Sequence, residues 1–124
     1  MTRVLRWGSA IAYIALLTTL LIRPMPPGFQ PLFPQSDKVA HFVAIGLLST
    51  MLLRAMTDPR AERLSRPAAI SACVIAVAYA VAMEFVQAHF DRDFSVFDML
   101  AGALGVVVLT PVYGMLRSRS IFLR

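Results

Sequence analysis

Charge is what this chain has least of: Asp, Glu, Lys and Arg make up 15% of its 124 residues, and only seven are acidic. A soluble domain is ordinarily about a quarter charged, so a conventional water-facing domain is excluded for a chain that is also 58% hydrophobic. Cysteine is nearly absent. The lone Cys73 rules out an intrachain disulfide and any cysteine-based zinc motif. The sequence has no HExxH pattern, no internal repeat and no separate soluble domain, and Ser95 has neither a nucleophile elbow nor a base at recognisable spacing.

Four apolar stretches are present instead, each close to the roughly 20 residues that cross a bilayer. The first, WGSAIAYIALLTTLLI, lies between Arg6 and Arg23. The second and shortest lies between Lys38 and Arg54, whose long stems can lengthen it by snorkelling. The third opens at Pro67, a residue suited to a helix start, and the fourth lies between Asp98 and Arg117, with Pro111 expected to kink its last turns. The expected fold is therefore all-α: one membrane domain over 1–124, with four transmembrane helices near 4–22, 37–56, 67–89 and 95–116 in an antiparallel bundle. The segment after the first stretch, RPMPPGF, has no small-residue cleavage pattern, so that helix is expected to be retained as a signal anchor.

Basic residues sort by side. Nine of the twelve (Arg3, Arg6, Arg54, Arg60, Arg63, Arg66, Arg117, Arg119 and Arg124) fall on one side of a four-helix layout, while Arg23, Lys38 and Arg92 fall on the other. Positive charge in short loops marks the cytoplasmic face, which puts both termini and the 54–66 loop inside and makes the protein a multi-pass resident of a bacterial cytoplasmic membrane. The net charge of +5 then serves topology and contact with anionic lipid, and no nucleic-acid partner is required. The outer loop 23–36, RPMPPGFQPLFPQS, holds five of the eight prolines and is too proline-rich for a regular helix. Phe29, Leu32 and Phe33 could lay it along the interface as a partial lid or a stiff connector.

Polar residues concentrate at the outer ends. Asp37 and His41 share a helix face at i, i+4; Glu84 and Gln87 share one at i, i+3, continued inward by Ala80 and Ala76; Asp98, Gly102 and Gly105 lie on one side of the fourth helix. Small residues on these faces allow close helix approach. Arg92, in HFDRDF, is placed to reach Glu84 or Asp98 and to grip a phosphate or carboxylate bidentately. Ionisable groups at membrane depth are costly and tend to pair and to serve function, which singles out His41 and Glu84. Structural roles compete with this. Asp98 completes an S-x-x-D capping box with Ser95, Asp37 suits a helix N-terminus, and Lys38 suits an interface anchor.

DKVAHF at 37–42, EFVQ at 84–87 and DRDFSVFDMLAGALG at 91–105 occur in that order, and in this combination the chain resembles the VanZ-like family over roughly residues 37–110. The family's Asp-Lys and His-Phe helix start, Glu-x-x-Gln pair, following Arg and Asp-led helix are all present. Its usual Asn after that Asp is Gly102 here, and the aromatic that often follows the His-Phe pair is Ile45, so a ligand role for that Asn does not carry over. The resemblance implies a bacterial membrane protein of the type named for low-level teicoplanin resistance, and it is compatible with an envelope lipid as partner.

The expected function is an outer-leaflet polar cavity, formed by Asp37, His41, Glu84, Gln87, Arg92 and Asp98, that binds the head group of an anionic envelope lipid or an isoprenoid-linked precursor. No metal or cofactor is expected: His41, Glu84 and Asp98 as a metal set is geometrically possible, but the sequence shows no HExxH or cysteine-based motif. One alternative is an accessory or scaffold subunit that recruits membrane-protein partners through small-residue faces such as Gly8/Ala12 and Ala101/Gly105. Another is an intramembrane enzyme with Glu84 and His41 as an acid/base pair acting on a head group; the balance leans against catalysis. A proton channel is disfavoured because no polar path continues inward.

Overall fold

The computed structural model describes residues 2–23, 28, 30, 33–90 and 94–122, with side chains described through Arg119. It contains four helices, α1 (Arg3–Ile22), α2 (Ser36–Met56), α3 (Arg66–Ala88) and α4 (Val96–Phe122), and no strand among the described residues. All four are long and apolar enough to span a bilayer, as expected of a multi-pass membrane protein.

The helix limits follow from local chemistry. Thr2 caps α1 by accepting from the Leu5 N–H at 3.3 Å. At the other end Arg23 turns extended, φ −66° and ψ 131°, because a residue preceding proline is pushed out of the helical region. Ser65 caps α3 through the Ala68 N–H, with Pro67 in its first turn. Gln35 precedes α2 in a left-handed conformation, φ 74°. The second apolar stretch, the shortest in the sequence, thus becomes a 21-residue helix by taking in Ser36–Lys38 and Arg54–Met56. Its last carbonyls are held from outside, since the Arg6 guanidinium donates to the Arg54 and Thr57 carbonyls at 3.2 and 3.5 Å. A cation there also complements the helix dipole.

Helix α4 does not end near 116 but continues through Pro111 to Phe122. Proline removes a single N–H from the ladder, and the turns beyond it are tied down by Arg117, whose guanidinium donates to the Asp58 and Ala61 carbonyls at 3.1 and 2.8 Å.

Helix α2 is the hub. It packs most extensively on α4 and also touches α3 and α1, whereas α1 leans on α2 and α3 alone. The core is Ile45, Leu48, Leu52, Leu53 and Val106 against Ala72, Ala76 and Ala80 of α3, the small-residue stripe anticipated beside Glu84. Close α2–α4 contact is set by glycine. A Cβ on Gly105 would overlap the Phe42 carbonyl oxygen and lie 2.8 Å from its carbon, and one on Gly46 would lie 2.8 Å from the Gly105 oxygen. Gly105 therefore serves contact within the chain, not the recruitment of a partner helix. Gly8, by contrast, has nothing within 4 Å of its would-be Cβ, and it looks outward together with Ala12. Deeper in the bundle the buried Ser49 and Thr110 hydroxyls bond each other at 2.8 Å, so that pair carries no unmet polar cost.

Large apolar side chains cover the outside, Val107, Leu104, Ile70 and Leu16 among them. In water this would be an outsized exposed patch; in lipid it is the natural surface.

Candidate functional site

The first turns of α2 and α4 meet the last turns of α3, and their polar residues converge there. His41 Nε2 lies 3.5 Å from Glu84 Oε1 and 3.9 Å from an Asp98 oxygen, Oδ2. One ligand-capable atom from each of the three falls within 4.8 Å of the others. The Lys38 ammonium stands at the rim, 3.5 Å from Asp37 and 3.9 Å from Asp98 Oδ1.

Each side chain is held by a specific backbone contact. The His41 Nδ1–H donates to the Asp37 carbonyl one turn back, at 2.8 Å. A carbonyl can only accept, so Nδ1 carries the proton, and Nε2 is the nitrogen left to face the two carboxylates. Glu84 is buried, 1% exposed, and its Oε2 accepts from the Ser95 N–H at 3.0 Å. Ser95 in turn caps α4 by accepting from the Asp98 N–H at 3.2 Å. Only half of the capping box forms. The N–H that Asp98 would have taken belongs to Glu84 instead, and this leaves the Asp98 carboxylate turned toward Lys38 and His41.

His41 Nε2, Glu84 Oε1 and Asp98 Oδ1 are buried and, among the described residues, receive no hydrogen bond. The contacts of 3.5 and 3.9 Å are within ion-pair range but form no hydrogen bond, and buried polar atoms are normally paired. Two carboxylates and an imidazole thus share one buried cluster, with Lys38 beside it.

Of the six expected site residues, His41, Glu84 and Asp98 form the cluster, so the capping role did not use Asp98 up. Asp37 contributes its backbone carbonyl, while its half-exposed carboxylate pairs with Lys38. Gln87 is buried but points at α1, where its amide donates to the Leu21 carbonyl at 2.9 Å and satisfies a carbonyl at that helix's end. Arg92, with Asp91 and Asp93, lies outside the described residues, as do Phe29 and Leu32. Lys38, read from the sequence as an interface anchor, belongs to the site; its i, i+3 spacing to His41 was the available signal. Exposed Phe85, Phe90, Phe94 and Phe97 surround this end, with the Phe85 and Phe94 rings 5.1 Å apart.

Comparison of the chain with protein-family models, with curated proteins and with solved structures returned no match.

Proposed function

We propose that this protein is a VanZ-like, antiparallel four-helix protein of a bacterial cytoplasmic membrane that binds the polar head of a phosphate-bearing envelope lipid or lipid-linked precursor at the outer end of the bundle. The observation that carries this reading is the convergence of Lys38, His41, Glu84 and Asp98 from α2, α3 and α4 at one end, with three buried atoms that have no hydrogen-bond partner among the described residues. Polar groups are retained at membrane depth at a cost of up to several kcal/mol each at midspan, and here they form no closed network of their own. A link to glycopeptide resistance follows from the family resemblance alone.

The orientation rests on charge. The Arg6 and Arg117 side chains gather against residues 54–61, at the end where most arginines lie. With that end cytoplasmic, a reporter fused after Arg124 or inserted at Arg60 is active inside the cell, and one inserted between Arg23 and Ser36 is active outside. The opposite pattern would turn the site to the inner leaflet.

The function itself is tested by native mass spectrometry of the protein purified in mild detergent. Wild type is expected to retain a phospholipid or prenyl-phosphate species selectively, with roughly tenfold less in Lys38→Ala, Arg92→Ala and Glu84→Gln, a loss of about 1.4 kcal/mol of binding. Equal, unselective lipid in all four proteins would refute the head-group site. The outward Gly8 and Ala12 face of α1 favours one other reading, an accessory subunit, and a stable hetero-complex recovered without lipid would support it.

A further inference from the structure

A phosphate offered to this pocket meets two carboxylates first. Like charges at these separations repel by about 1 kcal/mol even in water and by several kcal/mol at the lower effective dielectric of a protein, and the Lys38 ammonium, 3.9 Å from Asp98, offsets part of that. Resting on the head-group reading of this same site, we infer that His41 Nε2, Glu84 Oε1 and a carboxylate oxygen of Asp98 ligate a divalent cation of the zinc or manganese class, whose remaining coordination positions face the lipid phosphate.

Four features support a metal. The first is the donor set, one imidazole and two carboxylates, a combination that suits first-row divalent ions. The second is spacing. Metal bonds of about 2.1 Å put tetrahedral ligand atoms about 3.4 Å apart, and the imidazole nitrogen stands 3.5 and 3.9 Å from the two carboxylates. The three ligand atoms lie within 4.8 Å of one another, so closing all three edges takes side-chain movement of up to about 1.4 Å. The third is the orientation of the ligands from outside. The His41 ring is held by Nδ1–H donating to the Asp37 carbonyl, and Glu84 is held by the Ser95 N–H on its other oxygen, the supporting contacts that metal-ligating histidines and carboxylates characteristically make. The fourth is independent of the cluster's composition: Glu84 Oε1, on a side chain only 2% exposed, has no donor among the described residues and is aimed at His41. With three protein ligands from three helices, the site keeps open positions for an exogenous oxygen, as three-ligand zinc sites do. The sequence offered no metal motif because the ligands lie 43 and 14 residues apart along the chain, not on one helix turn.

The test uses the full chain in mild detergent, stripped with a chelator and titrated with Zn²⁺ and with Mn²⁺, retained metal being counted after desalting and thermal stability followed in parallel. Wild type is expected to keep one equivalent and to gain stability on adding metal. His41→Ala and Asp98→Asn are expected to bind roughly a hundredfold more weakly, since even loss of a group that merely supports a metal ligand costs up to about that much, with unchanged helical content. Glu84→Gln, which retains the Ser95 contact, serves as the variant least prone to misfold. Failure of wild type to retain either ion, or equal retention in all variants, overturns the inference. Lipid retention measured on the same samples separates the two proposals: lipid held without metal removes the ion and leaves the head-group site, and metal held without lipid does the reverse.

Discussion

Gly105→Ala is expected to unseat α2 from α4 and to cost about 3 kcal/mol or more, the upper range for overpacking a close contact. The added methyl would overlap the carbonyl oxygen of Phe42 and lie 2.8 Å from its carbon. Those are backbone atoms in the interior of a helix, so relief requires the two helices to part. Two other glycines supply the scale. At Gly102 a Cβ would meet only the Ile45 side chain, at 3.1 Å; that side chain can shift, and Gly102→Ala should cost about 1 kcal/mol. At Gly8 the space is open, and Gly8→Ala should be neutral or slightly stabilising, since alanine is the better helix former by about 1 kcal/mol. Unfolding of the three variants by graded SDS in mixed micelles should rank them in that order. Because Phe42 follows His41 directly, the Gly105 variant should also lose lipid and metal retention, whereas the Gly8 variant should keep both. A Gly105→Ala protein as stable as Gly8→Ala would mean that α2 and α4 do not pack as described.

The four spans were legible in the sequence because hydropathy is a one-dimensional property and the bilayer imposes its length on each segment. Their limits were less so. Helix α2 gains its full length from Ser36–Lys38 and Arg54–Met56, Asp37 and Lys38 being polar residues that belong to the site, and α4 outruns Pro111 because Arg117 is anchored to carbonyls 56 and 59 residues away. The site was half legible. His41, Glu84 and Asp98 stood out as polar groups within or at the edge of apolar runs, and helical spacing placed each on an inward face. Spacing cannot show which backbone group a side chain meets across helices. Hence Gln87, on the same face as Glu84, proved to serve the end of α1. The Asp98 carboxylate was released from its cap because Glu84 takes the Ser95 N–H, a contact between residues 11 apart in the chain. Lys38 was underestimated because a long flexible stem lets one residue be both an interface anchor and a neighbour of Asp98.

Glu84→Gln should raise, not lower, the stability of the metal-free protein, by about 1 kcal/mol. As it stands, Glu84 Oε2 accepts from Ser95, while Oε1 confronts His41 Nε2 with no donor between them. Glutamine keeps an oxygen for the Ser95 N–H and places an amide N–H where Oε1 was, opposite the one imidazole nitrogen not committed to the Asp37 carbonyl. With Nε2 as an acceptor, that amide supplies a hydrogen bond that the carboxylate does not make there. Glu84→Ala removes both oxygens and strands the Ser95 N–H, at a cost of about 1–3 kcal/mol, so the two substitutions should move stability in opposite directions. If the cluster were instead a closed structural ion pair, with a charged His41 neutralised by Glu84, glutamine would strip a buried cation of its counter-charge and cost about 3–5 kcal/mol. SDS unfolding of chelator-treated wild type, Glu84→Gln and Glu84→Ala reads the sign directly. A more stable Glu84→Gln that has also lost its lipid and metal would show a carboxylate kept against the interest of the fold, the trade expected where a residue serves binding before stability. A Glu84→Gln protein destabilised as far as Glu84→Ala would make the residue a structural pin and remove the physical basis for a cation in the pocket.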